Sequence, residues 1–173
     1  MKRDLFDDDH QLFRRSVADW IAADVTPHYM DWEAAGLAPR SLFADAGSHG
    51  FLGMAVPEAH GGGGSDDFRF NVVLAEELAA AGIGGAGLGL TLHNDITTPY
   101  FIEYCTDEQA QRWLPGIASG ELITAVAMTE PGTGSDLAGF LSELACDPFN
   151  TLGNRLDHGV AVQQDRLHGF FNE

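Results

Sequence analysis

The residues best equipped for chemistry stand together at Thr129-Glu130-Pro131-Gly132-Thr133-Gly134-Ser135-Asp136. Glycines there let the backbone approach a ligand closely, and successive N–H groups in such a turn attract anionic oxygens. The hydroxyls of Thr129, Thr133 and Ser135 add donors and acceptors. A flat or phosphorylated ligand would suit this loop, although a plain turn after a strand has the same composition. Two other clusters carry less. Gly84-Gly85-Ala86-Gly87-Leu88-Gly89-Leu90 lacks the spacing of a dinucleotide loop and follows no strand, so close helix packing is the better reading. His158 and His168, with Asp147, Asp157 and Asp165, match no zinc or helical ligand spacing and read as ordinary polar residues, so no metal is assigned.

The loop must be held by what precedes it. Leu122-Ile123-Thr124-Ala125-Val126-Ala127-Met128 is expected to be a buried strand, the first in an otherwise helical chain. That strand needs a partner, because an open edge leaves backbone groups unsatisfied. The distal segment could supply one, another chain could, or this end could be loose.

Helical periodicity covers most of the remainder. Phe13, Val17, Trp20, Ile21 and Val25 mark the inner face of a helix from Asp7 that Thr26-Pro27 should end or kink. A second helix should stop at Gly36 and a third should start at Pro39, burying Leu42, Phe43 and Ala46. Gly61 to Gly64 are expected to form a flexible loop, after which Asp66 or Asp67 caps a helix from Phe68 to Ala81. Its apolar face reads as Val72, Leu74, Ala75, Leu78 and Ala79. Helix is expected to continue to Tyr104. Thr106-Asp107-Glu108-Gln109 then forms a capping box for a helix that breaks at Pro115-Gly116.

Composition narrows the partners. With 26 acidic against 9 basic residues, the formal net charge of −17 repels phosphate backbones and anionic lipid. Nucleic-acid and membrane-surface binding are therefore disfavoured. No apolar run reaches a membrane span and no secretory signal opens the chain, so a cytoplasmic setting is expected. Cys105 and Cys146 are too few for a disulfide framework or a zinc site.

The string Ala127-Met128-Thr129-Glu130-Pro131-Gly132-Thr133-Gly134-Ser135-Asp136-Leu137-Ala138-Gly139 resembles the signature of the acyl-CoA dehydrogenase family without a mismatch. The context follows the same order. It runs through Gly50-Phe51-Leu52-Gly53, Val56-Pro57-Glu58, Glu76-Glu77-Leu78, His93-Asn94, the capping box, Trp113-Leu114-Pro115 and Ser119-Gly120-Glu121. About residues 5 to 140 take part. The resemblance implies a mainly α fold: an N-terminal helical domain of that type over 1–121, then the beginning of a middle β domain over 122–140. Residues 141–173 show no family pattern, which suggests an altered reading frame or a fused end after about Phe140.

The same resemblance implies an oxidoreductase that uses FAD to dehydrogenate the α–β bond of an acyl-CoA thioester. A base takes the α-proton, a β-hydride passes to the flavin, and an electron-transfer acceptor reoxidises it. Val126, Ala127, Met128 and Thr129 would line the flavin ring, with Thr129 hydrogen-bonding it. Gly134 and Ser135 would sit where flavin and substrate meet, and Ser135 would contact the acyl-CoA. Glu130 and Asp136 would brace the loop. No residue of this chain is assigned as the catalytic base, which in the family belongs to a C-terminal helical domain. A homo-oligomer, or a partner carrying that domain, is therefore expected. The alternative is a non-catalytic helical fragment or partner-binding domain.

Overall fold

A computed structural model describes residues 5–126 and the backbone of residues 160–163. Asp7 caps the first helix, its carboxylate accepting the N–H groups of Asp9 and His10. This helix, α1, spans Asp8–Trp20 and runs without a break through a π-helical turn, Ile21–Val25, into α2, Thr26–Ala35. The helix does not end at Thr26-Pro27, one of the two outcomes expected there. Thr26 keeps α-helical angles, and its N–H reaches back five residues to Ile21. The wider π turn relieves the clash that a proline ring makes with the preceding turn of an α-helix. The same device recurs at Thr98-Pro99, again immediately after a π-helical segment, Leu92–Thr97.

Gly36 ends α2 in the left-handed conformation, as its position suggested. Helix α3, Arg40–Ser48, follows Pro39 and buries Leu42, Phe43 and Ala46. The four glycines at 61–64 are not a free loop. Gly63 N–H donates to the Gly53 carbonyl and Gly64 N–H to that of Val56, which folds the turn onto the 53–57 segment. A Cβ on Gly62 would lie 2.2 Å from the Val56 carbonyl oxygen, so glycine is needed there for closeness rather than for freedom.

Asp67 accepts the N–H of Arg69 at the start of α4, Arg69–Ala80. This helix buries Asn71, Val73, Leu74 and Leu78, whereas Val72 is half-buried and Ala79 exposed, so its inner face is turned from the expected one. Alanine and valine are weak markers of a face, and Asn71 is drawn inward by Asp95, to which its side chain donates. Helix α5, Gly85–Thr91, packs close to α4, with Gly87 against Leu78 as the small residues predicted. The π segment and α6, Thr98–Tyr104, complete one continuous helical rod.

The capping box forms as expected, with Thr106 and Gln109 exchanging bonds at the start of α7, Asp107–Ser119. Pro115 does not end α7; it lies inside the helix, which continues to Gly120. One missing N–H is tolerated because Trp113, Leu114, Ile117 and Ala118 on either side of it are buried. Two apolar clusters result. The larger joins α1, α3, α4 and α5 around Val17, Trp20, Leu74 and Leu90. The smaller gathers Phe101, Trp113, Leu114 and Ile117 against Leu122 and Val126.

Arg14 ties α1 to α4 by donating to Glu77 Oε1 and, at 2.7 Å, to Glu76 Oε2. All three groups are partly buried, so Arg14→Ala is expected to cost about 1–3 kcal/mol by leaving two neighbouring carboxylates without their shared cation. Urea unfolding of the variant, compared with Arg15→Ala on the exposed side of the same helix, measures it.

The strand β1, Ile123–Val126, pairs antiparallel with β2, Val160–Gln163, in the register Ile123 opposite Gln163 and Val126 opposite Val160. The distal segment thus supplies the partner strand. Contrary to expectation, the fully buried side chain of β1 is a hydroxyl, Thr124, while Ile123 and Val126 are half-buried and Ala125 is exposed.

Candidate functional site

The candidate site is the end of β1 and the machinery that fixes it. At its centre is His93, whose relative exposure is 0%. The backbone N–H of Thr124 lies 3.2 Å from His93 Nδ1, and a backbone amide can only donate. Nδ1 is therefore an acceptor, and Nε2 carries the proton that it donates to the Ile117 carbonyl at 3.0 Å. The Thr124 hydroxyl, 2.9 Å away, also donates to Nδ1. One imidazole thus joins the π segment, α7 and β1.

The π turn places the remaining partners. Thr97 Oγ1 donates to the His93 carbonyl at 3.0 Å and contacts Thr124 Oγ1, and Thr98 Oγ1 reaches the same carbonyl at 2.6 Å. All four polar residues are buried. Asn94 works on the other side of the rod, donating to the Phe51 carbonyl and accepting the Gly53 N–H. The two adjacent polar residues, His93 and Asn94, hold two different loops.

Burial holds the His93 imidazole below the ordinary histidine range, opposed in part by its bond to Ile117. Protonating Nδ1 would also abolish both bonds from Thr124. Because the folded value is depressed, the linked stability is complete above the unfolded value near 6.5 and is lost as pH falls through it. Denaturant midpoints measured from pH 8 to pH 5 should therefore decline more steeply for the native protein than for His93→Gln. His93 is sealed from solvent with both nitrogens engaged, so it positions the strand and does not exchange protons with a substrate.

Val126, the last residue of this strand, packs its half-buried side chain against the Phe101–Trp113 cluster. The other residues expected to face a cofactor, Ala127, Met128, Thr129, Gly134 and Ser135, lie outside the described residues, as do Glu130 and Asp136. Among the described residues no group of His, Cys, Asp and Glu could hold a metal ion. Burial raises the Cys105 thiol to about 11, which keeps it an unreactive neutral group. The carboxyl of Asp95 is also raised by burial, despite a hydrogen bond from Asn71. In the sequence His93 and Asn94 stand out only as context for the family string, because Thr91, Asp95, Thr97 and Thr98 around them make the stretch generally polar.

Residues 7–121 match the family described as acyl-CoA dehydrogenase, N-terminal domain, and the chain belongs to the acyl-CoA dehydrogenase family. It is 41% identical over 137 residues to the long-chain specific mitochondrial acyl-CoA dehydrogenase of Sus scrofa, covering 79% of this chain and 31% of that protein. The crystal structure of acyl-CoA dehydrogenase from Geobacillus kaustophilus superposes with a TM-score of 0.75 at 46% identity, over 80% of this chain and 36% of that one. The acyl-CoA dehydrogenase of Bacillus anthracis, solved in complex with FAD, gives a TM-score of 0.68 at 30% identity, over 80% and 24% of the two chains. The chain thus spans about a third of the pig enzyme it matches. The mainly α architecture expected from the sequence is the one these structures share. No helix among the described residues is long and apolar enough to cross a membrane.

Proposed function

We propose that this chain provides the N-terminal helical domain and the first flavin-contacting strand and loop of an FAD-dependent acyl-CoA dehydrogenase. The observation that carries the reading is the His93–Thr124 junction. A buried imidazole, three threonine hydroxyls and a helix carbonyl all serve to fix the short strand that leads into the Thr129–Ser135 loop. A fixed strand end is what a loop needs if it is to hold a rigid, planar cofactor.

In this proposal residues 1–121 form the helical domain, 122–140 open the middle β domain, and 141–173 stand outside the family pattern. FAD, when bound, would supply the hydride chemistry. Val126, Ala127, Met128 and Thr129 would line its ring and Thr129 would donate or accept a hydrogen bond at its edge. Gly134 would allow close approach, and Ser135 would reach the acyl-CoA thioester. Structures that share the fold support the cofactor assignment, since the Bacillus anthracis enzyme was solved with FAD. The base that removes the α-proton, the acceptor that takes the electrons and the oligomer interface would come from regions beyond those described. The proposed setting is cytoplasmic.

Thr129→Val is expected to weaken FAD binding by about fivefold, the usual consequence of losing one net hydrogen bond. Flavin fluorescence titration of the native and variant chains measures the effect. Equal affinities would remove Thr129 from the site.

A further inference from the structure

A second histidine is sealed in the fold where the first turn of α1 meets the start of α4. The His10 side chain is 2% exposed. Its ring stacks on Phe70 at 4.4 Å between centroids, with Phe6 at 5.9 Å. Nδ1 lies 2.6 Å from Asp7 Oδ1, the same oxygen that caps α1 by accepting the N–H groups of Asp9 and His10. An ionised carboxylate only accepts, so Nδ1 carries a proton. Nε2 faces the other element. It lies 3.3 Å from Asp67 Oδ2, yet it is buried with no hydrogen-bond partner among the described residues.

The two nitrogens make different demands. With a single proton on the ring, at Nδ1, the buried lone pair of Nε2 faces a carboxylate and stays unbonded, which is unfavourable. With a second proton, Nε2–H can donate to Asp67, and the imidazolium then bridges two acids. The neutral ring fastens α1 only to its own cap, whereas the charged ring fastens α1 to α4. Arg69 also faces the cluster, donating through Nε to Asp67 and lying 3.7 Å from Asp7 Oδ2. Arg14 lies over the Phe6 ring at 5.0 Å, and Asp8, Asp9 and Asp66 nearby are exposed. The hydrogen bond from His10 holds the Asp7 carboxyl below the usual carboxylate range, and those from Arg69 do the same for Asp67. Both acids therefore stay ionised where an imidazole changes charge.

We propose that His10 is a proton-operated clasp, whose imidazolium bridges Asp7 and Asp67 to tie the first turn of α1 to the start of α4, and whose loss of the Nε2 proton releases that tie. The tie is complete while the ring is doubly protonated and is lost as pH rises. Arg14, one turn further along, keeps the rest of α1 on α4 through Glu76 and Glu77, so release frees only the end of the helix.

The test uses the full chain and needs no flavin. Heteronuclear NMR reads the protonation of both His10 nitrogens, and exchange protection of the Gln11 to Phe13 amides reads the first turn. Between about pH 5.5 and about pH 8.5, the span in which an imidazole loses its charge, Nε2 should lose its proton and Nδ1 should keep it. Protection of those amides should fall by about tenfold over the same span, the weight of one charge-assisted hydrogen bond. Titration of His93 acts in the opposite sense, since its linked stability is lost at low pH, so it cannot produce this fall. Asp67→Asn should reverse the profile, because an amide there donates to the neutral Nε2 while its oxygen still accepts from Arg69. His10→Gln should flatten it. A native ring that keeps one charge state across the span, amide protection indifferent to pH, or an Asp67→Asn profile like the native one would overturn the inference.

Discussion

Gly120→Ala is expected to lower the unfolding free energy by about 2–5 kcal/mol, the sum of a left-handed backbone penalty and overpacking against fixed neighbours. Gly120 ends α7 at φ +76°, and a Cβ there would stand 2.1 Å from the Phe43 carbonyl oxygen and 2.4 Å from its carbon. These are backbone atoms of α3 and cannot swing aside as a side chain can. Gly47 makes the reciprocal approach, where a Cβ would lie 2.2 Å from the Ser119 carbonyl oxygen. The contact of α3 with α7 is thus a backbone-to-backbone seam, directly below the turn that begins β1. Gly36→Ala is the control, because Gly36 has φ +69° and no atom within 4 Å of the place its new methyl would occupy. It should lose only the backbone penalty of about 1–2 kcal/mol. Thermal or urea unfolding of both variants separates the two contributions, and equal losses would show that the seam gives way without cost.

His93→Leu should also be severe, at about 2–3 kcal/mol. The variant leaves the Thr124 N–H without its imidazole acceptor, at roughly 1–3 kcal/mol, takes from the Ile117 carbonyl one of its two donors while the Gly120 N–H remains, and strands the Thr124 hydroxyl with Thr97 alone. The loss should be local first. Amides of Ile123 to Val126 should exchange with deuterium much faster in the variant, while those of α1 and α4, whose core is the larger cluster, should change less. His93→Gln retains a donor and an acceptor and should recover part of the loss. If the β1 amides keep their native protection in His93→Leu, the imidazole is not what fastens the strand.

Local rules made much of this fold legible. Gly36 at the end of a short helix, the reciprocal pair Thr106 and Gln109, and Pro39 before Arg40 each act within one turn of helix, so adjacent residues suffice to read them. The proline rule misled at Pro115, and at Pro27 so far as it allowed an end there, for the same reason. It describes an isolated helix, whereas buried neighbours such as Val25 and Leu114 hold these helices through the missing bond. At Pro27 the π turn supplied room that no spacing rule anticipates. The tetraglycine turn looked flexible because its partners, Gly53 and Val56, are set by the fold of the preceding segment.

The site divides similarly. Its family was legible from the Ala127–Gly139 string, since a run of specific residues needs no geometry to be recognised. The junction behind it was not. His93 and Thr124 are 31 positions apart, and Thr124 sat in what looked like an ordinary apolar strand. Only the tertiary fold shows that the one hydroxyl in Ile123–Val126 points inward to meet a histidine, and that the strand is therefore pinned by polar contacts.

The most direct measurement is whether the purified chain, incubated with excess FAD and passed through a desalting column, keeps flavin absorbance. Flavin should be retained in proportion to protein, and retention should be lost in His93→Leu as the strand end is released. A native chain that emerges free of flavin would contradict the proposed function, leaving a helical domain of the family with no cofactor site of its own.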